Sequence, residues 1–194
     1  MRRKFNHIIF YVILSILLPY SMSAQAGLFG PDCDMPDYNQ SKKNRHIDQN
    51  SAFSVTALAN WVVKKKRKGS YSEILLKTKG ACKVFILITS RLLERKEKKI
   101  APDQLLAAML QSSLYNLRSK GQKIISYGKY IEFKAGWPSF VIAAVGSGGK
   151  KAVASHGTVV ANRNLSVLVV TRNKQHNQSL ANILRSTVNS IEIF

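Results

Sequence analysis

From Phe53 to Thr171 the chain falls into short stretches of alternating apolar and polar residues, most of them ended by charges, glycine or asparagine. A two-residue period puts every second side chain on one face, so each stretch is expected to form a strand with one side on a core. The expected strands cover 53–64, 73–79, 83–90, 124–133, 140–145, 153–161 and 165–171. Gly136-Trp137-Pro138 and Asn162-Arg163-Asn164 lie between neighbours as connections, and Lys64 to Ser70 reads as a charged turn. One segment among them has helical spacing instead: Leu106, Leu110, Leu114 and Leu117 recur after Pro102 and Asp103 and before Gly121. Proline suits a first helical turn, aspartate suits its positive end, and glycine suits its stop. Ser179 to Ser190 repeats the pattern with Leu180, Ile183, Leu184 and Val188. Strands joined by short turns pair antiparallel, so the expected class is α+β, an antiparallel sheet flanked by helices.

The first 26 residues lie outside that pattern. Arg2, Arg3 and Lys4 precede an apolar run from Ile8 to Leu18 broken only by Ser15, and Ala24-Gln25-Ala26 supplies small residues for cleavage. This is the form of a secretory signal, and the run is shorter than the ~20 residues a spanning helix needs. Cleavage after Ala26 leaves 168 of the 194 residues, enough for one domain, with no transmembrane segment expected in the mature chain. Residues 27–50 carry Gly30, Pro31, Pro36 and four of the ten acids, and read as an irregular N-terminal arm. Residues 51–194 are then a single basic domain.

Charge restricts the partners more than the fold. The chain has 30 Lys+Arg against 10 Asp+Glu, and removing Arg2, Arg3 and Lys4 from the formal +20 leaves +17. Cations cluster at Lys64, Lys65, Lys66, Arg67 and Lys68, at Arg95, Lys98 and Lys99 with Arg91 and Lys96 beside them, and at Lys150 and Lys151. A solvated surface accounts for any single run; several runs gathered on one side would hold an anion. An antiparallel sheet could bring 64–68 and 146–151 to the same end. For an exported protein the expected partners are an anionic membrane surface, including phosphoinositide headgroups, or an acidic glycan, ahead of nucleic acid. Two cysteines, Cys33 and Cys82, are expected to form a disulfide in an oxidising compartment.

Catalytic patterns are scarce. His46, His156 and His176 lack metal-ligand spacing and read as surface or turn histidines. Gly146 to Lys150 lacks the spacing of a phosphate loop, and the acids outside the arm are scattered. No cofactor, metal site or catalytic residue is expected. An enzyme would need a pocket built from residues such as His156, Glu132 and Tyr127.

The opening strand "FSVTALANW", the segment "KYIEFKAGWPSFVIAAVG", the pair "GTVVANRNLSVLVV" and the closing "LANILRSTVNSIEIF" together resemble the sandwich of PsbP and its Mog-type relatives. The resemblance is one of element order over Phe53 to Phe194. It departs from the family at Ala59-Asn60-Trp61, where a Pro-x-x-Trp often stands. It implies non-enzymatic work and carries over no functional residue. Two functions are therefore expected to compete. One is a secreted binder of an anionic ligand, exported folded by a route such as type II secretion and directed at a host. The other is a periplasmic assembly or chaperone-like factor of an envelope complex.

Overall fold

The computed structural model describes residues 43–49, 52–58, 61–78, 84–132, 134–146, 151–171 and 177–194. Their elements run β1 (Lys43–Asp48), β2 (Phe53–Leu58), β3 (Val62–Lys68), β4 (Tyr71–Lys77), β5 (Val84–Leu92), α1 (Pro102–Ser119), β6 (Lys123–Glu132), β7 (Pro138–Val145), β8 (Ala152–Val160), β9 (Arg163–Thr171), α2 (Asn177–Ser190) and β10 (Glu192–Ile193). Seven strands form one sheet in the order β3-β4-β5-β9-β8-β7-β6, and β1-β2-β10 form a second. Every described pairing is antiparallel.

Alternation decides which side of the large sheet each residue meets. Ile74, Leu76, Ile86, Ile88, Leu165, Val167 and Val169 point to one side, where they pack with Phe53 and Val55 of β2 and Leu180, Ile183, Leu184 and Val188 of α2. Phe140 and Ile142 of β7 point to the other, beneath Leu106, Leu110 and Leu114 of α1. The two cores hold the sheet between a helix on one side and a helix with a small sheet on the other. Among the described residues no helix is long and apolar enough to cross a membrane.

Local signals explain the boundaries. Pro102 opens α1, and Gly121 ends it at a φ of 71°, with Gln122 N–H donating to Leu117 O at 2.9 Å. The β8–β9 turn falls on Ala161 and Asn162, both with positive φ, one residue earlier than the expected Asn162-Arg163-Asn164 connection. Two consecutive positive values are those of a type I′ turn, whose twist matches that of a hairpin.

Three expectations are corrected. The arm is not irregular to its end, because Lys43–Asp48 is a strand paired along its whole length with β2. Its side chains are mostly polar, so it carries no apolar alternation that would mark a strand. Pairing supplies what packing does not, and Arg45 reaches across β2 to Ser54 Oγ at 3.1 Å and to Glu192 of β10. Second, the stretch 53–64 is two strands in two different sheets, with Trp61 buried between them. Third, Lys64–Lys68 is the body of β3, and the reversal lies at Gly69 and Ser70, where Gly69 takes a φ of 58°. An edge strand with exposed side chains needs no apolar face, so charges there do not break it. Cys33 and Cys82, with the disulfide expected of them, lie outside the described residues, as does the segment 1–26.

Candidate anion-binding surface

The cations of β3 line an outer edge of the seven-stranded sheet. All five are exposed, and the pleat divides them into two rows. Lys64, Lys66 and Lys68 stand opposite Leu75, Glu73 and Tyr71, while Lys65 and Arg67 stand opposite Ile74 and Ser72. Glu73 partly offsets the first row and accepts a hydrogen bond from Tyr71 Oη at 3.1 Å. In the second row, Lys65 Nζ donates to Ile47 O at 2.7 Å, tying β3 to the end of β1. An open cleft of about 320 Å³ lies there, lined by Ile47, Asp48, Gln49, Lys65, Lys66 and Arg67. Asp48 is the one acid among the described residues of that lining. It is buried and raises the pKa of the nearby Arg163 guanidinium, against the larger lowering that burial imposes.

The loop after β5 carries the next cluster at a neighbouring corner. Leu92 N–H donates to Ser70 O at 3.2 Å, and Leu93 N–H donates to Asn162 O at 2.9 Å, so the β3–β4 turn, this loop and the β8–β9 turn share one end of the sheet. β3 and β5 are two strands apart, about 10 Å at the usual spacing. Glu97 anchors the loop. It accepts Arg91 Nη1–H and Nη2–H at 2.8 and 2.6 Å and Glu94 N–H at 2.8 Å, and the Arg91 guanidinium is the largest cause holding its carboxyl down to about 2. With Glu97 turned inward, Arg95, Lys98 and Lys99 are exposed. A second open hollow of about 450 Å³ is lined by Glu94, Arg95, Lys96 and Lys99. Lys96 is paired with Glu94 at 3.2 Å.

Lys151 does not join them. It lies on the β7–β8 connection, where Gly146 N–H donates to its carbonyl at 2.8 Å, at the end of the sheet where β5 begins. Lys150 is outside the described residues. Gly146 and Lys151, the described residues of 146–151, therefore do not meet 64–68 at one end. Lys123 lies at that opposite end too, since it pairs with Val145, which pairs with Ala152, and Lys120 precedes it by three residues. The described surface thus has cations at both ends, densest along β3 and the adjoining loop.

One histidine departs from the expected surface position. His156 is no surface residue: it sits in β8, 0% exposed, pointing to the side of Val167. Burial lowers its pKa to about 4. Tyr127 pairs with Ile142 and shares its side of the sheet, opposite to His156, so the pocket imagined from the two does not exist. His46 is half-buried on β1, and His176 lies outside the described residues.

Together these elements define an α+β sandwich with a predominantly basic edge. Its fold is that of PsbP. The solution structure of cyanobacterial PsbP (CyanoP) from Synechocystis sp. PCC 6803 superposes with a TM-score of 0.55, covering 85% of this chain and 100% of that one at 7% identity. No family model matches the sequence, and no curated protein matches it. At this identity the likeness concerns the fold alone.

Proposed function

We propose that the protein is an exported, non-enzymatic binding protein for an anionic ligand, either acidic lipid headgroups or acidic glycans. The observation that carries this reading is the exposed five-cation edge of β3 sharing one end of the sheet with Arg95, Lys98 and Lys99. Each cation at an anionic surface contributes about 1 kcal/mol, so β3 alone would give a dissociation constant near ~10⁻⁴ M. Adding the three loop cations brings the total to about 8 kcal/mol, and the constant to about 1 μM. Neither cluster is sufficient by itself.

Export follows from the leader-like first 26 residues and the paired cysteine count, and release of a folded product suits type II secretion. Mass spectrometry of protein from the medium, with and without reduction, tests cleavage after Ala26 and the Cys33–Cys82 bond. Ligand binding is tested by flotation with phosphoinositide-containing vesicles and by heparin retention at two salt concentrations. Binding to either ligand, weakened by salt, is expected. Indifference to both at low salt overturns the reading.

A further inference from the structure

We infer that the outer edge of β3 takes up an extended acidic polypeptide as an additional strand of the seven-stranded sheet. Lipid or glycan binding would use only the charges of this edge. A polypeptide would use its backbone as well.

Among the described residues β3 is paired on one side only, with β4. Alternate residues of an edge strand turn their N–H and C=O groups outward, which makes the edge a template for another chain. Lysines on such an edge ordinarily discourage pairing, because an incoming strand would bury or crowd them. That deterrent holds against neutral and basic strands. For an acidic strand the same charges become attractive, since cross-strand opposite-charge pairs stabilise a sheet and like pairs destabilise it.

The geometry fits a peptide repeat. Residues two apart on one side of a strand are about 6.8 Å apart, so Lys64, Lys66 and Lys68 match every second residue of a paired strand, and Lys65 and Arg67 match the intervening ones. Both rows are exposed, and both flank the edge that no described strand occupies. On the Lys65–Arg67 side, the cleft against Ile47, Asp48 and Gln49 leaves room for the side chains of a docked segment. Asp48 in that lining repels a carboxylate placed deepest in the cleft, which favours acids on the Lys64, Lys66 and Lys68 side. The inferred ligand is therefore an extended segment with alternating acids, its acidic face on that row. This goes beyond heparin or vesicle binding and does not rest on it.

The probe is an acetylated, amidated peptide of alternating glutamate and valine, titrated into the full mature chain at low salt. Its partner is the same peptide with alternate amides N-methylated, which keeps the charges and removes strand hydrogen bonds. The expected result is binding that weakens about tenfold or more on N-methylation, as follows from losing two or three main-chain hydrogen bonds. The triple variant Lys64→Gln, Lys66→Gln, Lys68→Gln should weaken it by about tenfold as well, given cross-strand charge pairs at three positions. Hydrogen exchange of β3 amides should slow when the parent peptide binds. No binding at low salt, or equal binding of parent and N-methylated peptides, overturns the inference. Heparin retention, measured alongside, separates the two proposals: if it persists while the methylated peptide binds as well as the parent, the edge attracts polyanions without adding a strand.

Discussion

Arg91 on β5 and Glu97 in the following loop face each other through two hydrogen bonds, at 2.8 and 2.6 Å, with Arg91 31% and Glu97 19% exposed. A paired, forked contact of this kind gives direction as well as energy. It folds the loop back on the sheet and leaves its lysines and Arg95 facing out. Replacing Glu97→Gln should lower stability by about 1 kcal/mol, the net worth of an ordinary intramolecular hydrogen bond, because the pair is partly open to water. Thermal denaturation reads that loss, and the same variant should retain less well on heparin although its net charge is more positive. The carboxyl titrates below its usual 4.5, at about 2, so the contact is intact above pH 4.5 and is lost as pH falls through about 2.

His156 supplies a second pH dependence, in a different window. Its folded value is about 4, lowered by burial, against 6.5 for the free side chain. The unfolded chain therefore binds the proton first. Stability should be complete above pH 6.5 and should fall by about 3 kcal/mol as pH drops through about 4. Urea titrations between those limits measure the slope, and a His156→Leu variant should lack that part of it. An unchanged slope in the variant would assign the acid sensitivity to other groups.

Gly157 on β8 has no room for a side chain. A Cβ built there would lie 2.3 Å from Cζ of Phe140, its partner across the β7–β8 pair. The ring fills the space above the glycine and packs under α1. Gly157→Ala should destabilise by about 2 kcal/mol through overpacking, and adding Phe140→Leu should recover part of that loss. A double variant no better than the simple sum would contradict this contact.

Much of the fold was legible in the residues because its cores follow simple periods. The two-residue repeat of Val84 to Ile88 and Leu165 to Val169 and the leucine spacing of α1 correspond to buried faces in the structure. The elements that escaped are those that bury little. β1 offers no apolar row, and the lysines of β3 suggested a turn because an edge strand imposes no apolar alternation on its exposed side chains. The site was legible as charge but not as arrangement. Nothing in the spacing of Arg91 and Glu97, six residues apart, marks them as partners across a bend. Nor does the sequence order reveal that Lys64 to Lys68 and Lys151 end up apart. His156 went unrecognised as a core residue because its neighbours Ser155, Gly157 and Thr158 are small or polar, yet all are buried.

Two charge-matched triple variants test most directly whether anion binding belongs to a particular surface. One carries Lys66→Gln, Arg95→Gln and Lys98→Gln on the β3 edge and the loop at its end. The other carries Lys120→Gln, Lys123→Gln and Lys151→Gln at the opposite end of the sheet. Each loses the same formal charge, so heparin elution and its salt slope can be compared without correction. The first should elute at clearly lower salt, with a slope reduced by about 2–3 contacts, and the second close to the unaltered protein. Equal loss from both would mean that the protein is merely basic and has no anion-binding face.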